Sequence, residues 1–181
     1  MSCILNSPTA ELAAPVSSPR RRLMLALLAA PLAAFAAADP TAGLTRWGSG
    51  EFRRFGFLVY EAMLWAGDDP TRPPLALKLT YKRNIAGQDI AAASVNEMRN
   101  VGVVDEGRLK LWGELMGRIF PDVRPGDHIV GLYLPEGARF FYNNRLIGVI
   151  GEPEFARAFF AIWLDPKTSA PALRTALLQR S

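Results

Sequence analysis

The sequence has almost no cysteine and almost no histidine, and this scarcity excludes several kinds of site. Cys3 is the single cysteine and His128 the single histidine among 181 residues. Without a second thiol the chain cannot form an internal disulfide, and without further thiols or imidazoles it has no cluster that would ligate zinc. A catalytic centre of the Ser-His-Asp type would depend on His128 alone, and His128 stands at the start of a predicted strand, where a structural role is expected. We therefore predict no metal and no cofactor.

A strong excess of charge is also missing. Lys and Arg number 21 against 17 Asp and Glu, which gives a net charge of +4. Three of the basic residues are Arg20, Arg21 and Arg22, and no dense basic stripe follows them. Domains that bind nucleic acid usually present such stripes. Nucleic acid is therefore not an expected partner.

The first 38 residues have the composition of a secretory signal peptide. The positive segment Arg20–Arg22 precedes an apolar run from Leu23 to Ala34, and Ala34–Ala36 or Ala36–Ala38 supplies the small residues that signal peptidase recognises. The run has about a dozen residues, against the ~20 that a membrane-spanning helix needs. We predict cleavage near residue 38, a mature domain of residues 39–181 without a membrane span, and a periplasmic or secreted location. Sec and twin-arginine export both fit this leader, and an uncleaved anchor is the alternative.

Residues 39–181 show no repeat or linker and suit a single domain. Aromatic, β-branched and alternating segments predict strands at Phe52–Trp65 (one long strand or a broken hairpin), Leu75–Lys82, Ile129–Leu134 and Arg139–Ile150. Helical spacing predicts four helices. The first is capped by Asp89 and ends near Gly102, and the second passes through Leu109 and Ile119 and stops at Pro121. The last two begin at Pro153 and near Pro171.

Two short segments predict turns. Asn143-Asn144 suits a two-residue hairpin turn, because asparagine tolerates positive φ. Gly48-Ser49-Gly50 is also predicted to be a turn, and it lacks the helix and the lysine of a phosphate-binding loop. The resulting order of strands, helices, strands and helices indicates an α+β fold, in which an antiparallel sheet carries helices on one face.

Several segments, in this order, resemble proteins of the chalcone isomerase-like family. Gly48–Trp65 resembles the first long strands of these proteins, and Phe120–Asp127 resembles their junction between a helix and a strand. Gly148–Leu164 resembles the family's penultimate helix, and Thr168–Arg174 resembles its closing motif. The resemblance covers nearly all of the mature domain. It implies an open-faced β-sandwich, in which a curved antiparallel sheet packs against helices and a ligand cleft lies between them.

The resemblance also implies where a ligand would bind. Plant chalcone isomerases use an arginine, a threonine and a tyrosine-bearing helix, whereas fatty-acid-binding relatives hold a carboxylate with an arginine and a tyrosine. Tyr60 falls where the binders have their tyrosine. On a regular strand Arg54 would face the same side as Tyr60 and Arg53 the other side, and a bulge at Gly56 would reverse this. Arg54 and Tyr60 are the predicted ligand-binding pair.

The catalytic helix of the enzymes is matched less completely. Ala91 stands near the position of the helix tyrosine, and Ser94 stands near that of a lysine. Tyr81, at the end of the preceding strand, is then the phenol that could act with Arg54 and Tyr60 in catalysis.

Three functions remain open at this point. The first is an exported protein that binds a small amphipathic or aromatic acid, of fatty-acid type, in an apolar cleft. The second is an intramolecular lyase or isomerase of the chalcone isomerase type. The third is a non-catalytic structural protein of the envelope, in which aromatic side chains would fill the cleft.

Overall fold

A computed structural model describes residues 39–180, which contain six strands and four helices. The elements are β1 (Thr45–Arg54), β2 (Phe57–Ala66), β3 (Leu75–Tyr81), α1 (Gly87–Asn100), α2 (Glu106–Ile119), β4 (His128–Leu134), β5 (Gly137–Tyr142), β6 (Arg145–Ile150), α3 (Pro153–Leu164) and α4 (Pro171–Leu178). The strands form one antiparallel sheet in chain order, β1 to β6. The predicted α+β class is confirmed. The predicted signal peptide lies outside the described residues.

The predicted segment Phe52–Trp65 spans a hairpin, which was one of its two readings. The chain turns at Phe55-Gly56, where φ is 51° and 81°. Asn143-Asn144 makes the same kind of turn between β5 and β6, with φ of 47° and 68°, and this confirms the predicted hairpin. Positive φ at both central residues gives a turn whose twist matches that of the flanking strands.

The predicted turn at Gly48-Ser49-Gly50 is wrong, because these residues lie inside β1. A Cβ atom at Gly48 would collide with the carbonyl oxygens of Ala176 and Leu177 in α4. At Gly50 a Cβ atom would stand 2.8 Å from Leu173 Cδ1. Glycine is therefore needed here because a helix backbone approaches the strand, which is a requirement of packing and not of a turn.

The helix starts agree with the predictions in two cases and differ in one. Both α3 and α4 begin with the predicted prolines, whose fixed φ suits the first helical position. In contrast, α1 begins at Gly87, two residues before the predicted cap. The Asp122 carboxylate, 2.9 Å away, accepts a hydrogen bond from the Gly87 N–H and so satisfies one free donor of the first turn.

The main core lies between one face of the sheet and the helices. It is richest around α3, where Phe155, Phe159 and Phe160 are all buried and Phe159 packs edge-on against Phe140 of β5 at 5.1 Å. The rings bring large apolar areas out of water and thus supply much of the hydrophobic stabilisation. Within residues 39–180, none of the helices has the length and apolar character required to cross a membrane.

Candidate functional site

A cavity of about 290 Å³ opens where the ends of β1, β2 and β3 face α1 and α3. Its lining is predominantly apolar, and it includes all three residues predicted as site candidates: Arg54, Tyr60 and Tyr81. The cavity is accessible from outside, so aromatic side chains do not close it. An apolar cleft with a few convergent polar groups is the usual form of a small-molecule site.

Three aromatic side chains form a row across the sheet at the floor of the cavity. Phe52 pairs with Tyr60 between β1 and β2, and Tyr60 pairs with Tyr81 between β2 and β3. The rings of Phe52 and Tyr60 stack at 4.9 Å, and Tyr81 meets Tyr60 edge-on at 6.1 Å. Cross-strand neighbours point to the same face of a sheet, so the strand register alone brings these three rings together.

The hydroxyl group of Tyr60 is held by α3. The indole Nε1 of Trp163 donates a hydrogen bond of 3.0 Å to the Tyr60 oxygen. A phenol can both accept and donate, and the Tyr60 proton has no acceptor among the described residues. Trp163 therefore fixes the oxygen while the O–H stays available as a donor toward the cavity.

Both phenols of the floor remain protonated over the physiological range. Burial raises the pKa of Tyr60 far above its ordinary value of 10.0, and the hydrogen bond from Trp163 offsets only part of that effect. Burial likewise raises the pKa of Tyr81, with a further contribution from Tyr60. The phenols can thus donate hydrogen bonds but cannot act as bases near neutral pH.

The two neighbouring arginines occupy different surroundings. Arg53 is paired with Glu51, because its Nε and Nη2 both donate to one carboxylate oxygen, at 3.0 and 2.8 Å. Arg54 lines the cavity, and within residues 39–180 it has no carboxylate at ion-pair distance. The register shifts between Phe52 and Arg53, yet Arg54 remains on the same face as Phe52 and Tyr60.

The wall of the cavity formed by α1 was not predicted in detail. It contributes Asp89, Ile90, Ala93, Ser94 and Glu97, none of which is a phenol. The hydroxyl of Ser94 donates to the Ile90 carbonyl at 2.8 Å, so its proton is engaged within the helix. Thus α1 adds the carboxylates of Asp89 and Glu97 to the site, whereas the sheet adds the donors.

Trp163 was not predicted as a site residue from the sequence. Trp163 follows Phe155 and Phe159 at helical spacing, which is typical of a core stripe. Its contact with Tyr60 joins residues 103 positions apart in sequence, and no local pattern carries that information. Across residues 39–180, no three His, Cys, Asp or Glu side chains come together as a metal site would require.

Comparisons with known proteins identify the family. A family model described as chalcone isomerase-like matches residues 59–179. A protein from Haemophilus influenzae, described as uncharacterized, is 28% identical over 161 residues, which are 87% of this chain and 79% of that protein. The crystal structure of an Arabidopsis thaliana fatty-acid binding protein, AtFAP1, is similar with a TM-score of 0.57 and 13% identity, over 76% of this chain and 87% of that one.

An antiparallel sheet with helices on one face and a cavity between them defines the class of fold. The chain belongs to the chalcone isomerase-like family. The similarity to AtFAP1 concerns the fold alone at this level of identity.

Proposed function

We propose that this protein binds a small amphipathic acid in the cavity, with Arg54 and Tyr60 as the anchor of the acid group. One observation carries the proposal: an arginine without a carboxylate partner among the described residues and a tyrosine with a free O–H line the same apolar cavity. A guanidinium pairs with a carboxylate through two charge-assisted hydrogen bonds, and a phenol adds a third donor. The apolar lining then covers the remainder of the ligand.

The dimensions of the cavity favour a short or compact acid. At roughly 30 Å³ for each water-sized group, about 290 Å³ holds on the order of ten groups. The stacked floor of Phe52 and Tyr60 offers a flat aromatic surface, which suits a ring as well as an acyl chain. The fold relative described as a fatty-acid binding protein supports the same class of ligand.

The test compares two adjacent arginines. We expect Arg54→Ala to weaken binding of octanoate, decanoate or a hydroxycinnamate by roughly tenfold or more, since a charge-assisted pair contributes about 1.5–3 kcal/mol. Arg53→Ala is the matched control, because Arg53 pairs with Glu51 outside the cavity. Isothermal titration calorimetry and native mass spectrometry would measure the binding. Equal affinities for both variants, or no binding of any acid by the wild type, would contradict the proposal.

A second candidate is an intramolecular lyase or isomerase that uses Arg54, Tyr60 and Tyr81. Two protonated phenols beside a guanidinium can stabilise an oxyanion that develops in a transition state. The wall of α1 lacks a phenol, which favours binding over this reaction. The decay of chalcone absorbance, followed with wild type and Tyr81→Phe, tests it, and turnover at the uncatalysed rate would remove this candidate.

We further propose export to the periplasm or the exterior, with cleavage near residue 38. The support is the sequence of residues 1–38, with its arginines, apolar run and small residues. Intact mass measurement of the protein from the periplasmic fraction should give a chain that begins near Asp39. A chain of full mass found only in the cytosol would exclude export.

A further inference from the structure

The hairpin between β1 and β2 ends in two exposed aromatic side chains. Phe55 is 88% exposed and Phe57 is 60% exposed, and they are the only phenylalanines among the large exposed apolar residues of the described chain. A ring in water adds no hydrophobic stabilisation to the fold, because that stabilisation comes from burial. We call Arg53–Phe57 together with Arg83 the β1–β2 tip.

The backbone of the tip makes the choice of Phe55 more unusual. Phe55 has a φ of 51°, a conformation that is costly for a bulky residue and easy for Gly or Asn. The β5–β6 hairpin of the same protein makes its equivalent turn with Asn143-Asn144. Asparagine therefore suits this kind of turn in this protein, yet position 55 has an exposed phenylalanine.

The charged groups at the tip that lack an ion-pair partner among the described residues are arginines. Glu51 pairs with Arg53 and Glu61 pairs with Lys82, at 2.8 and 2.9 Å. Arg54 and Arg83 have no such partner among the described residues, and their guanidinium groups lie over the rings of Phe55 and Phe57 at 5.5 and 4.9 Å.

A surface of exposed rings beside guanidinium groups without ion-pair partners suits a partner that is both apolar and negatively charged. Segments that bind at the interface of a bilayer insert Phe, Trp or Leu side chains, and their Lys and Arg residues are attracted to anionic lipids. A protein partner would more often meet a flat or concave patch with a polar rim, whereas this surface is a narrow protruding turn.

We propose that the β1–β2 tip docks on an anionic lipid bilayer. Arg54 belongs both to the tip and to the lining of the cavity, so docking brings the mouth of the cavity to the membrane surface. The inference rests on the exposure, backbone and charges of the tip and not on the identity of a ligand. It therefore stands or falls separately from the proposed binding of an acid.

Vesicle sedimentation of the purified protein tests the proposal with a matched pair of variants. We expect wild type to bind vesicles of equal parts phosphatidylcholine and phosphatidylglycerol, and to release as salt is raised. Phe55→Asn should weaken this binding roughly tenfold, since a buried ring is lost from the membrane contact. Val104→Asn is the control, because Val104 is also 88% exposed but lies between α1 and α2.

Stability separates a defect in docking from a defect in folding. Asparagine adopts positive φ readily, so Phe55→Asn should keep or raise the melting temperature while it loses vesicle binding. Arg83→Gln should weaken binding to the anionic vesicles and leave binding to pure phosphatidylcholine unchanged. Wild type and variants are compared as chains of identical length, so that the substitution is the only difference between them.

Three results would overturn the proposal. One is vesicle binding by Phe55→Asn equal to that of wild type, and another is a wild type that ignores both kinds of vesicle. The third is self-association without lipid that depends on Phe55, seen by sedimentation velocity, which would assign the tip to contact with a second copy.

Discussion

At the scale of single residues, the hydroxyl of Tyr60 is fixed from one side only. The Trp163 indole donates to the phenol oxygen at 3.0 Å, and the phenol proton has no acceptor among the described residues. The neighbouring hydroxyl of Tyr81 makes no hydrogen bond within the described chain, although the residue is only 3% exposed. The two tyrosines on adjacent strands therefore differ: Tyr60 is held by a hydrogen bond from Trp163, whereas Tyr81 is held by packing alone.

This difference predicts unequal effects of the same substitution. Tyr60→Phe leaves the Trp163 N–H without an acceptor in a partly buried place, so we expect a loss of about 1–3 kcal/mol in the free energy of unfolding. Tyr81→Phe removes a hydroxyl that bonds nothing in the described chain and should change stability little. Urea unfolding of both variants would measure this, and equal losses would show that the Trp163 contact is not the cause.

The raised pKa of Tyr81 predicts a dependence on pH in the alkaline range. Above pH 10 the unfolded chain releases the phenol proton while the folded protein retains it, so stability falls as pH rises. The slope for one such group reaches about 1.4 kcal/mol per pH unit. In urea unfolding between pH 9 and 11, Tyr81→Phe should lose stability less steeply than wild type, and parallel curves would contradict this origin.

At the scale of elements, α4 sits directly on the backbone of β1. The contact is possible because Gly48 presents no Cβ atom to the carbonyl groups at the end of the helix. Ala170, the residue that precedes α4, also lines the cavity. The fit of this helix against β1 therefore helps to position the rim of the candidate site.

Gly48→Ala should push α4 away from the sheet. Overpacking of this kind destabilises by typically 1–3 kcal/mol, and here the colliding atoms belong to the backbone, which cannot rotate aside. Gly67→Ala is the matched control, because nothing lies within 4 Å of a Cβ atom there. Thermal unfolding of the two variants gives the comparison, and similar melting temperatures would mean that α4 can shift freely.

The sequence predicted most elements because their signals are local. Prolines at the first helical position marked α3 and α4, and Asn143-Asn144 marked a hairpin. The turn predicted at Gly48 was wrong, because the sequence around a glycine that is required by a distant helix does not differ from that around a glycine in a turn. The start of α1 was misplaced because its N–H partner, Asp122, lies 35 residues away.

The candidate site could also be predicted only in part. Arg54, Tyr60 and Tyr81 were predicted from a resemblance and from the alternation of side chains along a strand, and the three residues line one cavity. Their reason for converging is the register of three strands, whereas the expectation rested on one regular strand. Trp163 could not be predicted, because it reaches Tyr60 only through the packing of α3 on the sheet.

At the scale of the whole molecule, every strand pairs with its neighbours in the chain, and one core cluster joins residues from β2 through α4. We expect a chain of residues 39–181 to unfold in one cooperative transition, because a shared core unfolds as a unit. Calorimetry would test this, and two separate transitions would contradict a single core.

The pairing of β3 with β4 has a consequence for the order in which the chain folds. All other sheet neighbours are joined by short segments, whereas β3 and β4 are separated by residues 82–127, which hold α1 and α2. Closing that long loop costs more chain entropy than closing a hairpin. The hairpins β1–β2, β4–β5 and β5–β6 can therefore form early. The rate of folding should be limited by the pairing of β3 with β4, which encloses the segment that holds α1 and α2.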